Sequence, residues 1–283
     1  MGKFILSGFS DEFDRNFTEQ VKGMANYGIG YLEVRFVGAK NIADLTREEV
    51  AELKADLDTY GIKVSAIGSP LGKIRLDEDM DAHMETAKRV FETANTLGTK
   101  LIRIFSFYPP EGKNIDHCRD DVFAGVDKLL NLADEFGVVL CHENEARVYG
   151  QKPENCLDLM KHFGGRLKVV LDMGNFTLEN HNPYTAYQML KEHIAYFHIK
   201  DGLAGGSIVP PGKGDARIAD ILADYAKTMD KDVFVSLEPH LRRFSGLKNL
   251  TDSTFAYPYT YDTPQDAFTD AVVKMREILK GIQ

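Results

Sequence analysis

A closed (β/α)8 barrel is the fold this sequence predicts, and three observations predict it. Short apolar runs rich in β-branched and aromatic residues recur eight times between segments of helical periodicity. The alternation continues through all 283 residues with no linker and no shift of composition. Four successive runs in the second half stop abruptly at an ionisable residue: Val138-Val139-Leu140-Cys141-His142 at Glu143, Val169-Val170-Leu171 at Asp172, Tyr196-Phe197 at His198, and Val233-Phe234-Val235-Ser236-Leu237 at Glu238. Buried parallel strands read as such runs, helical crossovers make consecutive strands parallel, and barrels keep their chemistry at the carboxyl ends of strands. About 250 residues make one barrel domain, so residues 1–283 are expected to form a single TIM-barrel domain.

Each element has its own signal. Phe4-Ile5-Leu6 opens the first strand; a polar loop over 7–16 precedes a helix reaching about Tyr27. Gly28 and Gly30 flank the turn into a second strand over 31–36. Thr46-Arg47-Glu48-Glu49 has the form of a capping box, Val50, Leu53 and Leu57 follow at helical spacing, and Gly61 ends the helix. A third strand over 62–67 is followed by a long helix over 79–97 with Met84, Ala87, Val90, Phe91 and Ala94 on its buried stripe. The fourth strand is expected over 101–105, a helix over 116–136, and the fifth strand up to Glu143. Pro153 and Pro183 suit first helical turns, starting helices to about Phe163 and Leu190 around the sixth strand. The seventh strand covers 194–199, a glycine-rich segment 202–214 leads to a helix over 216–229, and the eighth strand ends at Glu238. Thr263-Pro264-Gln265-Asp266 caps a final helix to about Leu279. A doubly wound open sheet is the competing architecture, but Gly2 and Gly8 do not form its usual glycine fingerprint.

Composition narrows the function. Hydrophobic residues make up 43% and charged residues 27%, a globular balance. A net charge of −9 makes nucleic acid a poor partner, because phosphate binding calls for a basic face. Cys118, Cys141 and Cys156 have no paired spacing, which fits free thiols in a reducing cytoplasm better than a disulfide framework or zinc ribbon. No apolar run approaches the roughly 20 residues that cross a bilayer, and the opening apolar stretch is too short for a signal peptide. A cytoplasmic protein without membrane contact is expected.

In a closed barrel Glu143, Asp172, His198 and Glu238 come from neighbouring tips and face one mouth. Three carboxylates gathered there without a cation would repel, and one would be held protonated. A divalent metal removes that cost. One imidazole with three carboxylates is a borderline-hard set, which favours Mn²⁺, then Mg²⁺ or Co²⁺, with Zn²⁺ as a further candidate. Taken singly, each residue reads equally as a strand-end cap or a surface charge; Glu145, two places beyond Glu143, is an alternative ligand. Arg35 and Arg103 stand near the second and fourth tips and would bring cations to the mouth if they point inward. Lys200 and Asp201 after His198, and His240 and Arg242 after Glu238, are candidate substrate contacts or solvated loop charges. In Pro210-Pro211-Gly212-Lys213-Gly214-Asp215, Lys213 is a candidate donor to a ligand, and Asp215 is expected to cap the next helix. Residues 245–262 are long for a loop after a strand and carry Phe255, Tyr257, Tyr259 and Tyr261, an apolar face suited to walling a substrate pocket or docking a second subunit in a homodimer.

Together the segments His142-Glu143-Asn144, Leu171-Asp172-Met173-Gly174-Asn175, Phe197-His198-Ile199-Lys200-Asp201, the Pro-Gly-Lys-Gly loop and Ser236-Leu237-Glu238-Pro239 resemble the xylose-isomerase-like TIM-barrel superfamily over essentially the whole chain. That superfamily holds sugar isomerases, ketose 3-epimerases, inosose dehydratases and the endonuclease IV group. The resemblance implies that Glu143, Asp172, His198 and Glu238 are metal ligands and that Glu143 and Glu238 are the acid/base pair. Asn175 departs from the pattern, standing where the epimerases and the endonucleases commonly have histidine; with 8 histidines and net charge −9, a multi-zinc DNA-cleaving site is not expected.

The expected activity is metal-dependent isomerisation or epimerisation of a sugar, sugar phosphate or related polyol, by proton abstraction next to a carbonyl through an enediolate. Asn175, Lys200, Lys213, His240, Arg35 and Arg103 would contact substrate. The rivals are a lyase or dehydratase acting on a keto-inositol or 3-keto sugar, and a non-catalytic barrel that binds metal and sugar.

Overall fold

The structure, a computed structural model, describes residues 2–242 and 255–282. In chain order its main elements are β1 (Phe4–Gly8), α1 (Phe17–Asn26), β2 (Tyr31–Val34), β3 (Phe36–Val37), β4 (Lys40–Asn41), α2 (Arg47–Thr59), β5 (Lys63–Ile67), α3 (Met80–Leu97), β6 (Leu101–Ile104), α4 (Arg119–Phe136) and β7 (Val139–Glu143). They continue with α5 (Pro153–Phe163), β8 (Leu167–Asp172), α6 (Met173–Leu178), α7 (Pro183–Leu190), β9 (Ile194–Ile199), β10 (Asp201–Leu203), β11 (Ser207–Val209), α8 (Ile218–Ala226), β12 (Val233–Leu237) and α9 (Pro264–Lys280).

Eight of the strands form one parallel sheet in the order β1-β12-β9-β8-β7-β6-β5-β2. β1 and β2, at the two ends of that order, lie against each other, so the sheet curls into a nearly closed (β/α)8 TIM barrel. Register steps along two ladders. Between β2 and β5 it slips at Leu32/Glu33, and between β8 and β9 it slips at Val169/Val170, opposite Ile194 and Tyr196. Such slips bend a strand and re-aim its side chains, and they gather near active sites.

The local signals explain the helix ends. Glu49 N donates to Thr46 Oγ1 at 3.2 Å while Thr46 N donates to Glu49 Oε2 at 2.9 Å, a reciprocal cap worth about 1 kcal/mol. Gly98 and Gly137 close α3 and α4 in the left-handed conformation, at φ 76° and 62°. Met24, Val50, Leu53, Val90, Phe91, Val126, Leu129, Leu159 and Phe268 are buried between the helices and the outer face of the barrel.

Four expectations need correction. The second strand stops at Val34, and the chain turns through Arg35 into the β3–β4 hairpin. α4 starts at Arg119 rather than Asp116, because the Asn114 side chain accepts from Asp116 N and holds a separate single turn there. α8 is shorter than 216–229, and its N-cap is Arg217 at φ 54° with no side-chain cap. Asp215 therefore does not cap it: its Oδ2 accepts from Ala204 N at 3.0 Å, tying two loops together. Finally, α6 follows Asp172 directly, a helix of 6 residues too short for periodicity to reveal. Among the described residues, no helix is long and apolar enough to cross a membrane.

Candidate metal centre

Glu143 ends β7, Asp172 ends β8, His198 lies on β9 and Glu238 follows β12, so four adjacent strands deliver them to one point. Each offers one ligand atom, all within 4.8 Å of one another, and all four residues are buried. His198 Nδ1 lies 3.0 Å from Glu143 Oε1 and 3.2 Å from Glu238 Oε2. Asp172 has two roles at once: Oδ1 accepts from Asn175 N at 2.8 Å and caps α6, while Oδ2 accepts from Lys200 Nζ at 3.0 Å. One oxygen of Asp172 thus acts as the helix cap and the other as an ion-pair partner. Asn144 steadies its backbone, donating to Asp172 O at 2.8 Å and accepting from Asp172 N at 3.0 Å.

A ring of charge surrounds the four. Arg35, fully buried, donates through Nη1 to Glu238 Oε1 at 2.7 Å and through Nε to Asp11 Oδ2 at 3.1 Å. Its guanidinium lies 4.2 Å from the centre of the Phe9 ring, which meets His198 edge-on at 5.2 Å. Arg103 reaches within 3.1 Å of Glu143 Oε2 and donates to the carbonyls of Gly68 and Ser69. His240 is held at φ 48°, a strained conformation for a non-glycine residue, and its N–H donates to Glu12 Oε2 at 2.7 Å.

Electrostatics follow from burial and these neighbours. Burial pushes Glu143 up, but His198 and Arg103 pull it down further, to about 2. Glu238 is likewise held well below the carboxylate range, with Lys200 and His240 outweighing burial. Asp172 goes the other way: burial, aided by Glu238 and Glu143, outweighs Lys200 and raises it to about 7. Burial also raises Glu12 to about 8, against Arg35, and lowers His240 to about 3.

The remaining expected site residues separate. Lys200, Asn175, Arg103 and His240 line the pocket above the four, together with Phe255. Asn175 accepts from Lys200 Nζ at 3.0 Å and donates to Asn144 O at 2.9 Å, so it sits in the site although it is not a histidine. Arg35 points inward beneath Glu238 rather than onto the pocket wall. Lys213 is exposed and off the pocket. Glu145 lines the rim, paired with Lys73 Nζ at 3.0 Å, outside the four-residue group. Asp201 is no solvated charge: it is buried and accepts from the backbone N–H groups of Gly202, Gly212, Gly214 and Ala216. Arg242 is exposed and donates to Asp262 O. Of the aromatic segment, residues 245–254 lie outside the described residues; Phe255 reaches the pocket, while Tyr259 is 41% exposed.

Sequence reasoning missed Glu33, Asp11, Glu12 and Lys73. Glu33 left a signal, a carboxylate inside the apolar run Tyr31-Leu32-Glu33-Val34. The other three sit in polar loops where nothing distinguishes them.

The donors present fit a divalent cation. Glu143 Oε2 is buried with no hydrogen bond, facing only the Arg103 guanidinium, and Asp172 is driven towards neutrality by burial and by the carboxylates of Glu238 and Glu143. A dication among these oxygens would satisfy both, and an imidazole with three carboxylates suits borderline-hard metals.

Fold and site together define a TIM-barrel protein with an acidic, histidine-containing centre at the carboxyl ends of its strands. A model of the xylose isomerase-like TIM barrel family matches residues 21–254, and the chain belongs to that family. None of the curated proteins matches the chain in sequence. Among solved structures it is similar to 3-keto-D-glucoside 4-epimerase from E. coli, at 15% identity over 97% of this chain and 100% of that one, TM-score 0.72. It is similar to the probable 3-DHS dehydratase of petrobactin synthesis from Bacillus anthracis, at 18% identity over 97% of each chain, TM-score 0.70. A xylose isomerase-like protein from Mycobacterium smegmatis, solved in complex with magnesium, is 14% identical over 100% of this chain and 98% of that one, TM-score 0.74. At these identities the likeness is one of fold.

Proposed function

We propose that this chain is a divalent-metal-dependent isomerase or epimerase of a sugar or related polyol. The observation that carries the reading is the convergence of Glu143, Asp172, His198 and Glu238 on one buried point beneath a polar pocket. These four residues would hold the metal, which would supply a Lewis acid to the substrate's carbonyl oxygen.

The chain's own residues do the rest. Lys200 beside Glu238 and Arg103 beside Glu143 favour the ionised carboxylates, so each can accept the proton from the carbon next to a carbonyl. The electron pair released moves to the carbonyl oxygen, giving an enediolate. Return of a proton from the opposite face by the other glutamate inverts the centre; return to the neighbouring carbon interconverts aldose and ketose. Lys200 and Asn175, on the pocket wall, would donate to and accept from substrate hydroxyls, and Phe255 would keep water off the reacting carbon.

Elimination is the second reading, favoured by the placement of Lys200 and His240 beside Glu238, where they would assist a departing oxygen. The neighbours of this fold include both an epimerase and a probable dehydratase. The test is metal analysis followed by incubation with ketoses, inosose and 3-keto sugars in D₂O. Deuterium entering a recovered sugar supports isomerisation or epimerisation, loss of water supports elimination, and neither, across metal-loaded protein and the whole panel, overturns both.

A further inference from the structure

We infer that Glu33 is the positioning residue of the metal centre: it fixes which nitrogen of His198 carries the proton, leaving Nδ1 for the metal. This rests on the metal-dependent reading above and adds a residue from the far side of the barrel.

Glu33 lies on β2 and is 1% exposed, inside the barrel below the pocket. Its Oε2 accepts from His198 Nε2 at 3.0 Å and its Oε1 accepts from the Tyr196 hydroxyl at 2.8 Å. Both partners come from β9, which lies across the barrel from β2 in the sheet order. Nδ1 of the same ring faces Glu143 and Glu238. The imidazole is thus gripped from below at Nε2, and its other nitrogen is presented to the carboxylates above.

The two register slips of the barrel occur at these residues. One falls at Leu32/Glu33 and the other beside Tyr196. Each interrupts a ladder where an uninterrupted one would be more stable, and between them they bring a carboxylate and its two donors together. The alternative, that Glu33 is a structural ion-pair partner, explains its burial but gives no reason for a second donor or for two slips.

The chemistry accounts for the cost. A buried carboxylate with only neutral donors is expensive. Joined through an imidazole to a cation, it shares that cation's charge, and in return it raises the basicity of the ligand nitrogen and holds the plane of the ring. Tyr196 occupies the second oxygen, so Glu33 cannot rotate to offer both oxygens elsewhere. Without Glu33 the ring could present either nitrogen and turn about its own bonds.

The experiment compares wild type, Glu33→Gln and Tyr196→Phe. Metal affinity is measured by calorimetry with Mn²⁺ and Zn²⁺, and the zinc-loaded proteins are examined by ¹⁵N NMR of their histidines. Wild type is expected to show His198 bound through Nδ1 with a proton on Nε2. Glu33→Gln is expected to bind metal roughly 10- to 100-fold more weakly, the usual effect of removing such a partner, and to lose the single tautomer. Tyr196→Phe is expected to stay within about threefold of wild type, since the Glu33–His198 bond remains. Zinc on Nε2 in the wild-type protein overturns the inference even if Glu33→Gln fails to fold, and so does unchanged affinity in a folded Glu33→Gln. Metal uptake without any turnover removes the catalytic reading and leaves this one standing. No uptake by wild type overturns both.

Discussion

Lys200 Nζ sits 3.0 Å from Asp172 Oδ2 and 3.3 Å from Glu238 Oε2, so a single buried ammonium holds two of the four convergent carboxyl and imidazole groups. With Arg35 and Arg103, that ammonium is one of the buried cations that let the mouth of the barrel carry its negative charge. Lys200→Met should therefore destabilise the metal-free protein by about 3–5 kcal/mol, the usual result of stranding one side of a buried pair. Saturating Mn²⁺ should return much of this, about 2.7 kcal/mol at a hundredfold excess over Kd. Urea midpoints with EDTA and with Mn²⁺ decide it: a Lys200→Met protein indifferent to Mn²⁺ would contradict the proposed centre.

Glu143→Gln and Glu238→Gln should each slow deuterium incorporation into substrate by about 10²- to 10⁴-fold while leaving a cooperative melting transition. The two need not match, because Arg35 grips Glu238 from below whereas Arg103 flanks Glu143. A variant that keeps near wild-type exchange is not the base.

Phe255 is the described part of the long segment after the last strand that touches the pocket. Phe255→Ala should raise KM roughly 5- to 30-fold, equivalent to about 1–2 kcal/mol of lost apolar contact, with Tm nearly unchanged. An unaltered KM would reduce the residue to rim packing.

Acid should weaken the fold through His83, outside the metal centre. Its Nε2 accepts from Gly72 N at 3.0 Å, and burial lowers its pKa from the ordinary 6.5 to about 4. The unfolded chain therefore takes up this proton first, so the contribution is intact above about pH 6.5 and is lost as pH falls towards 4. About 1–3 kcal/mol is at stake once partial exposure is allowed for. His83→Gln retains an acceptor without titrating, and should flatten the curve of stability against pH in that window. Identical acid limbs for variant and wild type would show that another group is responsible.

The barrel and the four strand-tip residues were legible because each is a local pattern: an apolar run, a stop, an ionisable residue. The supporting shell was not. Arg35 meets Glu238, and Glu33 meets His198, across separations of 203 and 165 residues, and nothing near either carboxylate in sequence announces its partner. Asp215 misled for a related reason. Its position before a helix is typical of a cap, but the glycine-rich loop brings Ala204 N within its reach, and Arg217 takes the left-handed turn instead. Asp201 looked like one more loop charge, and only the folded loop shows four amides converging on it.

The meeting of β1 and β2 has a consequence for how this barrel fails. Those strands end the sheet order, and among the described residues no ladder pairs them. Arg35, just after β2, bonds Asp11, just after β1, and Glu238, just after β12. The charges that serve the centre are thus also a rivet across the least-stitched joint of the cylinder. Enzymes commonly grow sturdier when a strained active-site group is removed, at the expense of turnover. Removing Arg35 is expected to act the other way: activity and mechanical closure should decline together, and amide exchange should first quicken along β1 and β2, far in sequence from Glu143 and Glu238.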